Sequence, residues 1–241
     1  MNLKNLTPLL IALSLPAAGY GDTQGEIDFE ASYRIESNGS LIAQTEISLT
    51  KIKPSEYIYK SASKPRGFFS FLVNDKVEEK SQWIFHNQNI RPLSYLYYRY
   101  GGRKNKRVEL SFDWGQMIVK NQVNDHQWQM KIQDGVIDKF SVNMAVRQQL
   151  RNGRNELSFM VADGGKLKLY SFTNVGTERI ETLLGKFEAI KVERHRKGKE
   201  ITQLWYVPAL EYIPVKIRRI DRHGNVLDML ASSVTTNKKG R

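Results

Sequence analysis

From Glu26 onward the chain alternates. In EIDFEASYRI, Ile27, Phe29, Ala31, Tyr33 and Ile35 fall on one side of a two-residue repeat and polar residues on the other. That is the pattern of a half-buried β-strand, whose successive side chains point to opposite faces. The repeat returns in LIAQTEISLT, EYIYKSAS, SQWIFHN, RPLSYLYYRY, KRVELSFDW, QMIVKNQV and HQWQMKI, and again in NELSFMVAD, KLKLYSFTNV, FEAIKVERH, ITQLWYV, IPVKIRRI and VLDMLASSV. Turn formers separate almost all of them: Asn38-Gly39, Gly101-Gly102, Trp114-Gly115, Asn124-Asp125, Asp163-Gly164-Gly165, Gly198 and His223-Gly224-Asn225. Short strands joined by tight turns at this spacing predict a mostly all-β fold, an antiparallel meander rolled into a closed or half-open β-barrel.

Two segments leave the two-residue period. DGVIDKFSVNMAVRQQLRNG, from Asp134 to Gly153, has helical spacing: Ile137, Phe140 and Met144 share a face that Ala145 and Val146 broaden. Asp134 or Asp138 can cap its start, and Arg151 and Arg154 suit its end. This predicts the one main helix. SKPRGFFSFLVND, from Ser63 to Asp75, predicts a short helix plugging one end of the barrel, with Pro65 at its start and Phe68, Phe69, Phe71 and Leu72 crowded together.

The first residues give the expected address. Lys4 precedes an apolar run from Leu6 to Leu15, broken only by Thr7, Pro8 and Ser14, and small residues follow at Ala17, Ala18, Gly19 and Gly21. The run is too short to cross a bilayer and reads as a secretory signal peptide over residues 1–21, cleaved near Gly19 or Gly21. A single β-barrel-like domain over 22–236 and a flexible tail over 237–241 complete the expected organisation. The chain has no cysteine, which removes thiolate catalysis, disulfides, zinc–cysteine sites and the usual lipid-anchor attachment. The expected location is therefore periplasmic, without a lipid anchor.

Chemistry is thin. The four histidines, His86, His126, His195 and His223, form no pair at helical ligand spacing, so no metal site is expected. No nucleophile elbow, phosphate-binding loop or dinucleotide fingerprint is present. Asp113 and Asp163 stand before turns, and no pair of carboxylates stands out as an acid and base. Catalytic residues and cofactors are therefore predicted to be none, and the protein is expected not to be an enzyme.

What remains is charge and aromatic surface. The formal net charge is +12, which favours anionic partners. Arg103, Lys104, Lys106 and Arg107 crowd one hairpin tip, and RHRKGKE and KIRRIDRH add two more basic stretches. If these tips share one end of a barrel they form a positive collar. In an exported protein such a collar would meet lipid head groups or acidic envelope polymers rather than nucleic acid, and peripheral membrane contact is expected. LWYVPALEYIPVKIRR holds two prolines that cannot donate to a sheet ladder and that extend the residues before them. It reads as a stiff corner between two strands, with Leu210, Tyr212 and Val215 turned inward. Trp205 and Tyr206, being neighbours, must face opposite sides. The same residues also suit an aromatic lip on a ligand cavity. Tyr95 and Tyr97 share one face of their strand with Leu93 and Arg99; Leu96, Tyr98 and Tyr100 take the other. Such a strand suits either a half-wet barrel wall or ordinary packing.

RPLSYLYYRYGGRKNKRVELSFDW, DGVIDKFSVNMAVRQQL, MVADGGKLKLYSF, LLGKFEAIKVERH and LWYVPALEYIPVKI occur in this order over nearly the whole expected mature chain. Together they resemble the bacterial exported family known as domain of unknown function 3108. LGKFEAIKVER and LWYVPALEYIPVKI are the most specific pieces. The resemblance implies a β-barrel-type envelope protein with no established activity, and it brings no catalytic residues. The plan of a curved antiparallel sheet around a helix is also similar to that of the periplasmic lipoprotein carriers. The expected function is binding of an apolar or amphipathic ligand, a lipid or lipidated chain, in or at the barrel through Trp205, Tyr206, Tyr212, Tyr95 and Tyr97. The alternatives are a structural protein that docks an envelope complex or an anionic polysaccharide, and an envelope-polymer hydrolase.

Overall fold

The computed structural model describes residues 26–71, 74–196 and 200–237. The expected signal peptide, residues 72–73, residues 197–199 and the last four residues of the expected tail lie outside the described residues. The strands are β1 (Phe29–Ser37), β2 (Ser40–Lys53), β3 (Glu56–Pro65), β4 (Lys76–His86), β5 (Asn89–Tyr100), β6 (Lys106–Asp113), β7 (Ile118–Val123) and β8 (His126–Lys131). A two-residue strand β9 (Ile137–Asp138) and the helix α1 (Val142–Arg151) come next. They are followed by β10 (Leu157–Asp163), β11 (Lys166–Thr182), β12 (Gly185–Arg196), β13 (Glu200–Val207), β14 (Ile213–Ile220) and β15 (Val226–Thr236).

All of these strands join one sheet in the order β8-β7-β6-β5-β4-β3-β2-β1-β15-β14-β13-β12-β11-β10-β9. The first and last long strands therefore meet mid-sheet, with Phe29 opposite Thr236, and two meanders run outward from that seam. Every pairing is antiparallel except that of β9 with β10. Bulges at Ser32/Tyr33, Ile35/Glu36 and Gln82/Trp83 break register, and bulges of this kind bend a sheet. The sheet rolls up without hydrogen-bonding its two edges together, so the half-open form of the expected barrel is the one found. At the gap, the Trp128 ring of β8 lies against the β10–β11 turn: a Cβ placed on Gly165 would stand 2.3 Å from Trp128 Cζ2.

The inward rows are built by register. One runs Leu49–Tyr59–Ser81–Tyr95–Leu110–Asn121–Trp128 across β2 to β8. Inside the roll the Tyr57 and Trp83 rings stack at 4.6 Å, and Tyr59 stacks on Phe140 at 4.2 Å. Such pairs add about 0.5–1.5 kcal/mol each beyond their burial. The helix sits within this space. Val142, Met144, Ala145, Val146, Arg147 and Leu150 are all buried, so it is covered on more than one face, as an interior helix must be.

The helix is shorter than its sequence period predicts. Ile137 is drawn off into β9, which pairs in parallel with Val161 and Ala162. Asp138 does meet orphan amides near the helix start: its carboxylate accepts the Phe140 and Ser141 N–H groups, each at 2.9 Å. The other end closes by backbone hydrogen bonds from Gly153 to Leu150 O (3.1 Å) and from Arg154 to Gln149 O (2.9 Å), with Gly153 at φ +65, the left-handed stop that favours glycine.

The expected plug at 63–75 is replaced by something smaller. Pro65 ends β3, and a single 3-10 turn, Gly67–Phe71, follows. Phe68 is 72% exposed, so this ring faces solvent and fills nothing. The corner between β13 and β14 is as stiff as its prolines predict. Pro208–Leu210 form a 3-10 turn, and Glu211 and Tyr212 both take φ +56. Val215 is buried behind it, while Leu210 and Tyr212 are half-buried against the core.

Candidate functional site

In an antiparallel sheet, alternate turns fall on the same edge. The β1–β2, β3–β4, β5–β6, β7–β8, β10–β11, β12–β13 and β14–β15 connections therefore share one edge, and the β13–β14 corner lies on the other. The first edge is the mouth of the roll. It carries Arg103, Lys104, Lys106 and Arg107 at the β5–β6 tip, Arg194 and Arg196 at the end of β12, and Arg219 and Arg222 about the β14–β15 turn. The three basic stretches of the sequence thus converge on one end. Arg107 is partly neutralised by Glu109, with its Nε 2.6 Å from the carboxylate, and Arg196 pairs with Glu200 at 3.0 Å. Arg103, Lys104 and Lys106 are exposed and have no ion pair among the described residues.

Just inside the mouth the inward rows change from apolar to polar. On the β3–β5 wall, Tyr95 is buried and its hydroxyl donates to Glu79 Oε1 at 2.6 Å. Burial first, and then the Glu79 charge and hydrogen bond, push this phenol well above its ordinary range. Tyr97, one row nearer the rim, is half-buried, and the Lys139 ammonium stands 5.8 Å from its ring centre. Arg99 follows on the same face, with an Nε–H hidden from solvent and without a partner. On the opposite wall Asp163 accepts Lys168 Nζ at 2.7 Å and the Tyr170 hydroxyl at 2.9 Å. The Arg194 guanidinium lies over the Tyr170 ring at 3.2 Å. Burial pushes the Asp163 carboxyl up, but the hydrogen bonds from Lys168 and Tyr170, with the charges of Lys168 and Lys139, outweigh it and hold it below the usual range. Lys139 thus acts on both walls at once.

Beneath Lys139 the floor is closed. Asp138 is fully buried and accepts the Ser81 hydroxyl at 2.6 Å and the Ser141 hydroxyl at 2.7 Å, besides its two amides. Burial still pushes its carboxyl above the ordinary value. Below it come Phe140, Tyr59 and the helix side chains, so the interior under the mouth is filled. Among the described residues no three His, Asp or Glu side chains come together in a way that would hold a metal ion.

A model of the family described as a protein of unknown function, DUF3108, matches residues 28–230. The chain belongs to the DUF3108 family. Its architecture is similar to that of a β-barrel-like protein of the domain of unknown function DUF1849 from Brucella abortus, known from a crystal structure, with a TM-score of 0.58 at 5% identity. The match covers 88% of this chain and 99% of that one. At that identity the likeness is one of fold. A proposed exported protein with YmcC-like fold from Bacteroides fragilis is more distant, at a TM-score of 0.37 and 10% identity over 88% of this chain and 97% of that one. No curated protein matches the chain.

The DUF3108 chain does not gather its five predicted aromatic ligands. Tyr95 and Tyr97 line the mouth. Tyr206 lies inside, its hydroxyl donating to Asn143 O of the helix at 3.3 Å. Trp205 faces the outside, as strand alternation requires, yet is 4% exposed. Lys191 and Lys216 stand 5.3 and 4.7 Å from its ring, and its Nε1 donates to Glu178. Glu178 belongs to an arm that no sequence pattern announced. Beyond Phe172 strand β11 leaves β10, and before Ile190 strand β12 leaves β13, so the intervening hairpin stands as a two-stranded projection beside Trp205. Tyr212 sits at the corner on the far edge. Sequence reasoning missed Lys139 and Tyr170, which come to one end of the fold only when the sheet rolls, and the pairing of Glu79 with Tyr95, which depends on the register between β4 and β5.

The outer face of the DUF3108 sheet carries open grooves lined by both polar and apolar groups. One of about 580 Å³ crosses β4–β8, with Lys80, Leu96, Glu109, Lys120 and Gln129 on its walls. Another, of about 540 Å³, crosses β1–β5 and shares Lys80 and Leu96 with it.

Proposed function

We propose that the protein is a non-catalytic binding protein of the bacterial cell envelope, exported to the periplasm, that meets an amphipathic anionic ligand, a lipid or a lipidated chain, at the basic mouth of the roll. The observation that carries this reading is the convergence of three basic hairpin regions on the edge whose inner wall holds Tyr95, Tyr97, Arg99, Lys139 and Arg194. Long-range attraction by the exposed tips would bring in an anionic surface, and half-buried aromatic rings would supply apolar contact. The filled interior beneath Lys139 favours a ligand held at the mouth over one in a deep hollow.

Sedimentation with vesicles tests it. Binding is expected with anionic vesicles and to weaken between low and physiological salt. Each cation near an anionic surface contributes about 1 kcal/mol, so reversing Arg103, Lys104 and Lys106 to Glu should weaken binding roughly a hundredfold or more. Equal binding to neutral vesicles, or no dependence on salt, would refute it. The filled interior also favours a second reading, docking of an envelope complex or an anionic polysaccharide through the same tips. Mass spectrometry of material co-purified with the protein separates the two: lipid supports the first, and polysaccharide or protein without lipid supports the second.

A further inference from the structure

We propose that Arg99, Lys139 and Tyr97 form a receptor for one phosphate group inside the mouth, distinct from the cations of the hairpin tips. The inference rests on the reading of the mouth as the binding end, and it names the group taken there.

Arg99 lies two residues beyond Tyr97 on the inward face of β5, a step of about 6.6 Å. Its Nε–H is shielded from water and meets no acceptor, and no carboxylate stands within ion-pair distance of it among the described residues. Arg34 Nε and Arg147 Nη2 are also buried without an acceptor, but the guanidiniums of Arg34 and Arg147, like those of Arg91 and Arg218, have a carboxylate beside them. Arg91 pairs with Asp134 at 2.5 Å, Arg218 with Asp228 at 2.7 Å, and Arg147 with Glu26. A half-buried guanidinium without a counter-charge is costly, and the cost is removed when a ligand brings the missing acceptors.

Lys139 is exposed, has no ion pair among the described residues, and holds its ammonium 5.8 Å from the centre of the Tyr97 ring. The Tyr97 hydroxyl has no hydrogen-bond partner among the described residues; burial pushes this phenol up and the Arg99 charge opposes it. The carboxylates nearby are already engaged: Glu79 by the Tyr95 hydroxyl, and Asp163 by Lys168 and Tyr170. Asp75, whose charge also reaches Tyr97, sits at the rim beneath Gly102. The local balance is a surplus of donors. A guanidinium fork and a phenol from β5, with a point charge from the segment before α1, suit a tetrahedral group with three free oxygens better than a planar carboxylate with two. With Phe140 and Asp138 closing the floor, whatever carries the phosphate must extend toward the rim.

Titration calorimetry of the full chain with inorganic phosphate tests the receptor. Saturable binding is expected, falling about tenfold or more in Arg99→Gln and in Lys139→Gln. Tyr97→Phe should lose less, and Arg99→Lys should recover part of the loss because it keeps the charge without the fork. Lys104→Gln, at the tip, should leave phosphate binding within about twofold while weakening attachment to anionic vesicles. Should Arg99→Gln fail to fold, as its melting curve would show, the exposed Lys139→Gln carries the test. Displacement of phosphate by short-chain phosphatidic acid assigns the receptor to a lipid head group; its absence assigns the receptor to free phosphate. A native protein that binds anionic vesicles but takes up no phosphate overturns the receptor and leaves the mouth reading standing. One that binds neither overturns both. Unchanged phosphate binding in Arg99→Gln and Lys139→Gln also overturns it.

Discussion

Replacing Arg147 by Met should cost the fold about 3 kcal/mol. The side chain is fully buried on α1. Its guanidinium pairs with the buried Glu26 carboxylate, donates Nε–H to Glu211 O at 2.8 Å, and lies 5.5 Å from the Phe29 ring. It therefore ties the segment before β1, the interior helix and the β13–β14 corner together. Burial is the first cause holding its basicity below the ordinary arginine value, and the Glu26 charge works the other way. Removing one partner of a buried pair costs about 3–5 kcal/mol, mostly because the other charge is left behind. Here Arg151 remains 3.3 Å from Glu26, which puts the expectation at the low end. A domain of this size shifts by about 2–4 °C per kcal/mol, so Tm should fall by about 6–12 °C. Urea unfolding followed by tryptophan fluorescence reads the change as a lower midpoint at unchanged slope. The double variant Glu26→Leu/Arg147→Met removes both charges and should return to within about 1 kcal/mol of the native protein. A loss below about 1 kcal/mol in the single variant, or a double variant as unstable as the sum of the singles, would show that the pair does not act as a unit.

Two further outcomes follow from the same interior. The folded state holds the Asp138 proton to higher pH than the unfolded chain does, so this group's stabilisation is present below the unfolded value near 4 and is lost as pH rises through the folded value. Asp138→Asn should therefore gain stability relative to the native protein as pH rises above about 4; urea midpoints measured from about pH 4 upward check it, and a difference that does not change with pH contradicts it. At the gap in the roll, Gly165→Ala combines φ +71 with a Cβ 2.3 Å from the Trp128 ring. It should cost about 1–3 kcal/mol and speed amide exchange along β8 while sparing α1; unaltered exchange in β8 would mean that this contact does not hold the edge.

Local chemistry made much of the fold legible. Alternation from Phe29 to Ile35 dictates a strand because one face must be buried. Asn38-Gly39 closes the first hairpin with φ +47 and +83, and Pro208 and Pro214 each fix their own φ and withhold an N–H from the ladder. The helix was legible in type but not in length. Ile137 fits the helical face equally well, and only the arrival of Val161 beside it, from another part of the chain, makes it a strand. The candidate site divides in the same way. Basic tips can be read from the sequence, and antiparallel alternation assigns them to one edge once the strand order is known. Trp205 and Tyr206 were correctly sent to opposite faces, but burial of the outward ring needed the projecting arm and Glu178.

The sequence by itself determined the two-residue period, the turns, the single helical segment and the positive charge, because each depends on neighbours within a few residues. Tertiary structure alone decided that the roll stays open between β8 and β9, that α1 fills its interior, and that Lys139 stands between Tyr97 and Asp163. Those outcomes depend on how far the bulged sheet curls before its two edges approach, and curvature is a sum over fifteen strands that no single stretch of residues contains.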